Sequence, residues 1–274
     1  MHYDLQISEA MKAQSSEAGS RAGLWGGTTT YIDFSISWGG EEDLVESIQS
    51  KIEKSNSQNL YSDYALHAIM TGNWPQSNAD RIREAISGGG VTSFKFFTTF
   101  AGSEAIGGMM TDDGRIYSAM LETEKHGGIV MVHCEDDCII DYNVRKLYSE
   151  GREHFSNIGE ARPPLAEEAA IRRMLLLSQR TGSPLYIVHV AAKESVEAIG
   201  EFRDKGAHAF GEVLHPPNLV FDPPELYKKP NGQRYMNYPP NKSIEHRDAL
   251  WAACENGSLH TLASDDFTIR GTTR

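Results

Sequence analysis

The chain has 274 residues, of which 39% are hydrophobic and 23% charged, and this composition excludes a disordered chain or a disulfide-stabilised mini-protein. The formal net charge of −12 makes binding to nucleic-acid phosphates unfavourable, and no apolar run reaches the roughly 18–20 residues of a membrane helix. The first residues lack the positive start and apolar stretch of a signal peptide, and three cysteines are too few for a disulfide scaffold, so we expect a cytoplasmic protein.

Short apolar runs alternate with helical patterns along the whole chain. Helical spacing and helix-end signals predict helices over residues 9–23, 41–55, 79–87, 114–126, 164–182, 193–206 and 243–257. Apolar runs between them predict strands over residues 28–34, 64–70, 91–97, 128–135, 184–190, 207–214 and 259–267. Most of these runs are continuously apolar, which is typical of strands buried on both faces of a parallel sheet.

Repeated strand–helix units form either an open doubly wound sheet or a closed (β/α)8 barrel. No GxGxxG motif follows the first strand and no P-loop is present, so a dinucleotide-binding sheet lacks its main support. A barrel of about 250 residues fits the length. Residues 216–241 are rich in Pro, Tyr and Lys and predict a long irregular segment, which in compact domains is often functional.

Four polar side chains lie within or at the ends of apolar strands: Lys95, His133, His189 and Asp265. Each has an ordinary structural explanation, since a lysine can extend to the rim, a histidine can form core hydrogen bonds and an aspartate can cap the next helix. Together they indicate more, because the carboxyl ends of barrel strands meet at one rim, and His and Asp are ligands for divalent metals. A buried lysine also requires an anion, a lowered pKa or a covalent modification.

Several segments of the chain carry a family resemblance, and they occur in family order over nearly its whole length. They are GGTTTYIDF, TSFKFFTTFAG, VHCED, PLYIVHVAAKESVEAI, GEVLH, YPPNKSIEHRDALW and ASDD. With these motifs the chain resembles the cyclic amidohydrolases of the dihydropyrimidinase and hydantoinase group.

The resemblance implies a (β/α)8 TIM-like metal-dependent hydrolase barrel that holds two divalent metal ions, usually zinc. Lys95 matches the lysine that CO₂ converts to a metal-bridging carbamate, and His133 and His189 match ligands of the second metal. Asp265 matches a ligand of the first metal that is also the general base. The implied reaction is hydrolysis of a ring amide, in a dihydropyrimidine or a hydantoin, by hydroxide from a metal-bridging water.

The family's first strand ends in His-x-His, and His2 aligns with the second of these histidines; a disordered terminal residue is the alternative interpretation of His2. Phe100 stands where the family has a tyrosine that polarises the substrate carbonyl, so the hydroxyl is missing. Tyr238 aligns with a serine that precedes Pro-Pro in many hydantoinases. His215 lies near the predicted rim, where it would orient substrate, whereas we expect His67 to be structural or to support a ligand.

Two alternative functions stay open. One is a non-catalytic scaffold like the collapsin response mediator proteins, and the other is an allantoinase-like amidohydrolase. Compared with the family, residues 1–274 predict a partial barrel that has only the tail of its first strand at residues 1–4, ends before the last helix, and is without the small β-sandwich domain. We therefore expect exposed strand edges and low stability. The resemblance also implies a homo-oligomer, commonly a tetramer, that acts on a small cyclic amide.

Overall fold

Helices and strands alternate along the chain, as the apolar pattern predicts. The computed structural model describes residues 1–6, 12–38, 43–72, 74–102, 108–215, 217–220 and 223–268. The chain divides into two compact units. The first comprises Met1–Phe96, Phe100–Ile129 and Asp265–Arg274, and the second comprises Phe97–Thr99 and Val130–Ser264.

The first unit is built on parallel strands in the order β1–β2–β3. The strands are β1 (Thr30–Ser37), β2 (Asp63–Met70) and β3 (Ser93–Phe97), the last of which enters the second unit at Phe97. β1 and β2 pair along their full lengths, and β2 pairs with β3 at Ala68↔Phe94 and Ile69↔Lys95. The helices are α1 (Ser16–Trp25), α2 (Leu44–Asn56), α3 (Ser77–Ser87) and α4 (Asp113–His126).

The second unit continues the same architecture with parallel strands in the order β4–β5–β6–β7. They are β4 (Ile129–His133), β5 (Leu185–Ile187), β6 (Ala209–Leu214) and β7 (Thr261–Ala263). The longer helices are α5 (Asp137–Ser149), α7 (Pro164–Thr181), α8 (Lys193–Asp204) and α11 (Ile244–Glu255). Single turns are α6 (Ile158–Ala161), α9 (Pro217–Val220), α10 (Pro223–Leu226) and two 3₁₀ helices, Phe155–Asn157 and Gly232–Tyr235.

Local sequence signals explain where the helices begin and end. The carboxylate of Asp112 accepts a hydrogen bond from the Arg115 amide at the start of α4, and Gly127 ends that helix with a left-handed φ of 78°. α7 has Pro164 in its first turn and Gly182 at its end, also left-handed with a φ of 79°. Between these ends, α4 buries Ile116, Ala119, Met120 and Thr123, and the buried residues of α7 include Ile171, Met174 and Leu175.

The predicted parallel strands are confirmed, and three local predictions need correction. A helix expected over 9–23 begins at Ser16, because the Ser15 side chain caps it there; residues 9–11, and residues 41–42 of the next predicted helix, lie outside the described residues. Residues 1–4 form a turn with a φ of 58° at Asp4, not the predicted strand tail. α5 was not predicted, and only Ile140 and Leu147 of it are buried.

β7 is more exposed than its apolar sequence predicts, and Leu262 in its centre is an exposed side chain. In the segment expected to be irregular, the described residues form the short turns α9, α10 and the second 3₁₀ helix. Among the described residues, no helix has both the length and the apolar character that crossing a membrane requires.

We expect the core of the second unit to depend on α7. Leu175 is fully buried, so Leu175→Ala should lower the free energy of unfolding by about 2–5 kcal/mol through lost burial and a residual cavity. Leu176 is the next residue and is exposed, so Leu176→Ala should change it by less than about 0.5 kcal/mol. Urea unfolding of both variants measures the difference, and equal losses would show that α7 does not pack as described.

Candidate active site

Strained backbone concentrates at the residues for which the sequence predicts a role. Four non-glycine residues of the described chain have a positive φ: Asp4, Phe100, His189 and Asp265. The last three are candidate site residues, with φ values of 73°, 41° and 46°. Such a conformation costs about 1–2 kcal/mol for a residue with a Cβ atom, and strained positions of this kind cluster at active sites.

In the first unit, His2 and Asp265 are in direct contact. Nε2 of His2 lies 2.9 Å from Oδ1 of Asp265, and the imidazole stacks on Phe34 with ring centroids 4.5 Å apart. The side chain of His2 is therefore mostly buried, with 15% of its surface exposed. Its Nδ1 is buried and has no hydrogen-bond partner among the described residues, so the ring retains a nitrogen that a cation could use.

A buried ion pair holds the backbone next to His2. The Tyr3 amide donates to Oδ1 of Asp33 at 3.0 Å, and Nζ of Lys51 donates to the Tyr3 carbonyl oxygen at 2.5 Å. Lys51 and Asp33 also pair with each other at 2.6 Å, and both side chains are buried. Sequence reasoning missed this pair, because its two members lie 18 residues apart on β1 and α2 and carry no motif spacing.

Lys95 lies in the middle of β3 and its residue is only 5% exposed, as the apolar run around it predicts. His67 on β2 is in the same unit, with Nδ1 2.5 Å from the hydroxyl of Ser93. Burial, together with the nearby positive charges of the chain's amino terminus and Lys95, lowers the pKa of His67 to about 4. The imidazole is therefore neutral at pH 7 and makes a core hydrogen bond.

In the second unit, His133 and His189 meet edge to face with ring centroids 4.5 Å apart. Nε2 of His133 lies 2.8 Å from Oε2 of Glu135, and the Arg162 guanidinium donates to that same oxygen at 2.5 Å. Burial raises the pKa of Glu135, while the charges of Arg162 and Lys242 oppose the rise. A carboxylate on one ring nitrogen fixes the orientation of an imidazole.

Asp136 does not share the role of Glu135, although both residues follow His133 in the sequence. Its carboxylate caps α5 by accepting from the Ile139 amide and pairs with Arg173 at 2.8 Å. An aspartate that directly precedes the first turn of a helix often caps it in this way. Arg162 was missed at the sequence level, because it lies 27 residues from Glu135 with nothing in its neighbourhood to mark it.

The three predicted substrate residues have different surroundings. Phe100 is buried and left-handed in the first unit. Tyr238 is half-buried in the second unit, precedes a cis peptide bond to Pro239 and lies under the Arg162 guanidinium, 4.5 Å from the ring centroid. His215 is exposed, and its amide donates to the Ala263 carbonyl at 3.0 Å. Arg162 therefore connects Tyr238 to Glu135, and Glu135 contacts His133.

The structure thus brings together His2 with Asp265 in one unit and His133 with His189 in the other. Within the described ranges, no three or more His, Cys, Asp and Glu side chains form a group that would hold a metal ion.

Comparisons with known proteins identify homologues over nearly the whole chain. The D-hydantoinase of Geobacillus stearothermophilus is 34% identical over 276 residues, which cover 98% of this chain and 56% of that protein. Dihydropyrimidinase 2 of Caenorhabditis briggsae is 30% identical over 272 residues, covering 98% of this chain and 51% of that protein. The chain therefore spans about half the length of these relatives. No protein-family model matches it.

Solved structures agree with the sequence relatives. A D-hydantoinase crystal structure matches with a TM-score of 0.88 and 32% identity, covering 97% of this chain and 56% of the other. The dihydropyrimidinase of Brevibacillus agri matches with a TM-score of 0.90 and 28% identity, covering 99% of this chain and 57% of the other. The resemblance that the motifs indicate is confirmed.

We expect His67 to stay neutral well below neutral pH. Its folded pKa of about 4 lies below the ordinary value of 6.5, so the unfolded chain takes up the proton first. The contribution of His67 to stability is fully present above pH 6.5 and is lost as the pH falls toward 4. NMR titration of the imidazole in the metal-free protein measures this directly, and a midpoint near 6.5 would contradict the buried, neutral ring.

Proposed function

We propose that this homologue of the D-hydantoinases and dihydropyrimidinases is a metal-dependent hydrolase that opens a cyclic amide, such as a dihydropyrimidine or a hydantoin. One observation carries the proposal. The chain has five candidate metal ligands in family order, namely His2, Lys95, His133, His189 and Asp265. His2 contacts Asp265 within the first unit, and His133 contacts His189 within the second. The relatives named above are hydantoinases and dihydropyrimidinases, which supports this reaction class.

The donor set suits two divalent metal ions, which we propose to be zinc. Nitrogen and carboxylate oxygen are ordinary zinc ligands, and His2 keeps a buried Nδ1 without a partner in the described chain. A carbamate on Lys95 would replace the buried cation with an anion that would supply oxygen ligands, and metal ions bound to it would compensate its charge. When bound, the metal ions would supply Lewis acidity toward the amide carbonyl and would lower the pKa of a water molecule.

The chain's own residues then have separate tasks. We assign to Asp265 the proton transfer to the leaving ring nitrogen, since a carboxylate beside His2 can accept a proton and return it. Glu135 orients His133 and Arg162 holds Glu135, so the imidazole keeps one direction during the reaction. Tyr238 and His215 would contact the substrate ring. Phe100 would form an apolar wall that lacks the hydroxyl of the family's tyrosine.

Phe100 also favours the second candidate function, a non-catalytic scaffold. Its ring has no hydroxyl to polarise a carbonyl, so a scaffold that kept metal ligands but lost turnover is consistent with this position. An allantoinase-like specificity is the third candidate, and hydrolysis of allantoin in preference to hydantoin and dihydrouracil would support it.

The remaining expectations belong to the same proposal. We propose a (β/α)8 barrel for the parallel strand–helix architecture, supported by the TM-scores against the hydantoinase and dihydropyrimidinase structures. Residues 1–274 would form part of that barrel, without the small β-sandwich domain of the family. A cytoplasmic location is supported by the odd and sparse count of three cysteines, Cys134, Cys138 and Cys254. A homo-oligomer is carried over from the family, and sedimentation velocity of the purified chain tests it.

The metal and Lys95 are tested together. After expression with zinc and bicarbonate, we expect about two zinc ions per chain and hydrolysis of dihydrouracil or hydantoin. Lys95→Ala should lower metal content and reduce turnover more than about 100-fold, because the bridging ligand is lost. Lys146→Ala replaces an exposed lysine on α5 and should change neither. Well under one metal per chain in the folded wild type, or full turnover in Lys95→Ala, would contradict the proposal.

Phe100→Tyr tests the missing hydroxyl. The phenol would place a hydrogen-bond donor where the family polarises the carbonyl, and we expect kcat/KM to rise at least about tenfold. Phe100→Leu is the matched change that adds no donor and should not raise it. If kcat/KM does not rise with Phe100→Tyr in a folded, metal-loaded protein, the position assigned to Phe100 beside the substrate carbonyl is wrong.

A further inference from the structure

Every backbone amide in the segment that follows β5 has a buried acceptor. The His189 amide donates to Oε1 of Glu212 at 3.1 Å, and the Val190 amide donates to the Glu212 carbonyl oxygen at 2.7 Å. The next two amides, of Ala191 and Ala192, both donate to Oε1 of Glu167 at 2.9 and 3.0 Å. Four successive N–H groups are thus bound by two glutamates.

Glu212 is itself anchored in the sheet. It lies on β6 and is buried, and its second oxygen accepts a hydrogen bond from the hydroxyl of Tyr186 at 2.8 Å. The same hydroxyl lies 2.5 Å from Oγ1 of Thr261 on β7. Burial and the Glu212 carboxylate raise the pKa of Tyr186, so this hydroxyl keeps its proton and remains a donor. Residues of three neighbouring strands therefore fix the carboxylate that holds the His189 amide.

Glu167 is anchored in a different way. It lies on α7 with 1% of its surface exposed, and its second oxygen is 3.1 Å from Nζ of Lys242, which is also buried. The lysine compensates the buried charge, because an isolated carboxylate at this depth would be strongly unfavourable. Glu167 therefore remains available as an anionic acceptor for the two amides.

His189 requires such support because its backbone is strained. Its φ of 41° is a conformation that residues with a Cβ atom adopt rarely, and the surrounding structure has to maintain it. The direction of the imidazole follows from this conformation, and the ring reaches His133 at a centroid distance of 4.5 Å. A relaxed backbone would turn the ring away from its neighbour.

We propose that Glu212 and Glu167 are positioning residues for His189. They hold four successive amides, keep the histidine left-handed and present its imidazole beside that of His133. The part of this inference that concerns metal binding rests on the proposed function, and the part that concerns the backbone of His189 does not.

The experiment compares Glu212→Ala with Glu212→Gln, Tyr186→Phe and Glu168→Ala in the full chain. Glu168 lies on α7 and pairs with Arg172, and its replacement by alanine controls for the loss of a glutamate that does not contact the His189 segment. Two quantities are measured. Amide hydrogen exchange and the ¹³C shifts of His189 in the metal-free protein report its backbone, and zinc affinity is measured by competition with a chelator.

We expect Glu212→Ala to lose protection of the His189 amide and to bind zinc about 10–100-fold more weakly, the usual effect of removing a group that orients a ligand. Glu212→Gln keeps an oxygen for the amide and should recover most of both properties. Tyr186→Phe frees one carboxylate oxygen, leaves the core intact and should give a smaller loss of protection. Glu168→Ala should match the wild type.

The outcomes test the backbone role of Glu212 and its effect on zinc binding separately. If Glu212→Ala does not fold, Tyr186→Phe carries the comparison, and wild-type protection of the His189 amide in that variant overturns the inference. Weaker zinc binding with an unchanged His189 amide also overturns it, since the effect would not pass through His189. If the folded wild type binds no zinc, the proposed function fails, while hydrogen exchange and the ¹³C shifts still decide the backbone role.

Discussion

The left-handed backbone at the ends of strands is the constraint on which the candidate site depends. The last residues of a β-strand have an extended backbone. Where a side chain just beyond the strand has to point toward a shared edge of the sheet, the backbone often turns sharply there. His189 and Asp265 each lie two residues beyond the strand that precedes them, and both have a positive φ. Because this conformation is unfavourable for them, neighbouring groups must maintain it, and the hydrogen bonds around His189 show how.

Buried carboxylates paired with buried cations recur as the means of support. In the first unit, Asp33 accepts the Tyr3 amide, and Lys51 neutralises Asp33 while it also binds the Tyr3 carbonyl. In the second unit, Glu167 accepts two amides after His189, and Lys242 compensates its charge. One oxygen of each carboxylate binds backbone and the other faces a lysine. The backbone beside His2 and the backbone after His189 are thus held by the same arrangement on unrelated elements.

Such pairs explain how charge is tolerated inside an apolar sheet structure. A buried ion pair adds little net stability, but removing one partner leaves an uncompensated charge and is strongly destabilising. Glu135 illustrates the balance: burial raises its pKa, and Arg162 opposes that shift while it fixes the carboxylate against His133. Charge is retained where it orients a donor side chain, so these pairs are better understood as parts of the site than as general stabilisation.

Much of the local structure follows from the sequence, because it depends on contacts between near neighbours. Apolar runs of strand length, the cap at Asp112 and the glycine ends at Gly127 and Gly182 determine strands and helices without reference to the rest of the fold. The candidate metal ligands could also be identified from the sequence, since a polar residue inside or directly after an apolar run is unusual. Helix α5 was missed, although the carboxylate of Asp136 caps its first turn, and of its residues only Ile140 and Leu147 are buried.

Only the tertiary structure decided which side chains support the donors. Arg162, Glu167, Glu212 and Lys242 have no distinctive spacing in the sequence, and the hydrogen-bond and ion-pair partners of their side chains lie between 23 and 75 residues away. Their roles depend on burial, which converts an ordinary surface charge into one that must be paired, and burial exists only after the chain has folded. Asp136 shows the converse, since its position beside His133 suggests a shared task and the fold assigns it to a helix cap. By itself the sequence determined the strand–helix order and the identity of the donors, because those depend on local pattern. The fold decided their orientation, because that depends on distant charges brought together in a low-dielectric interior.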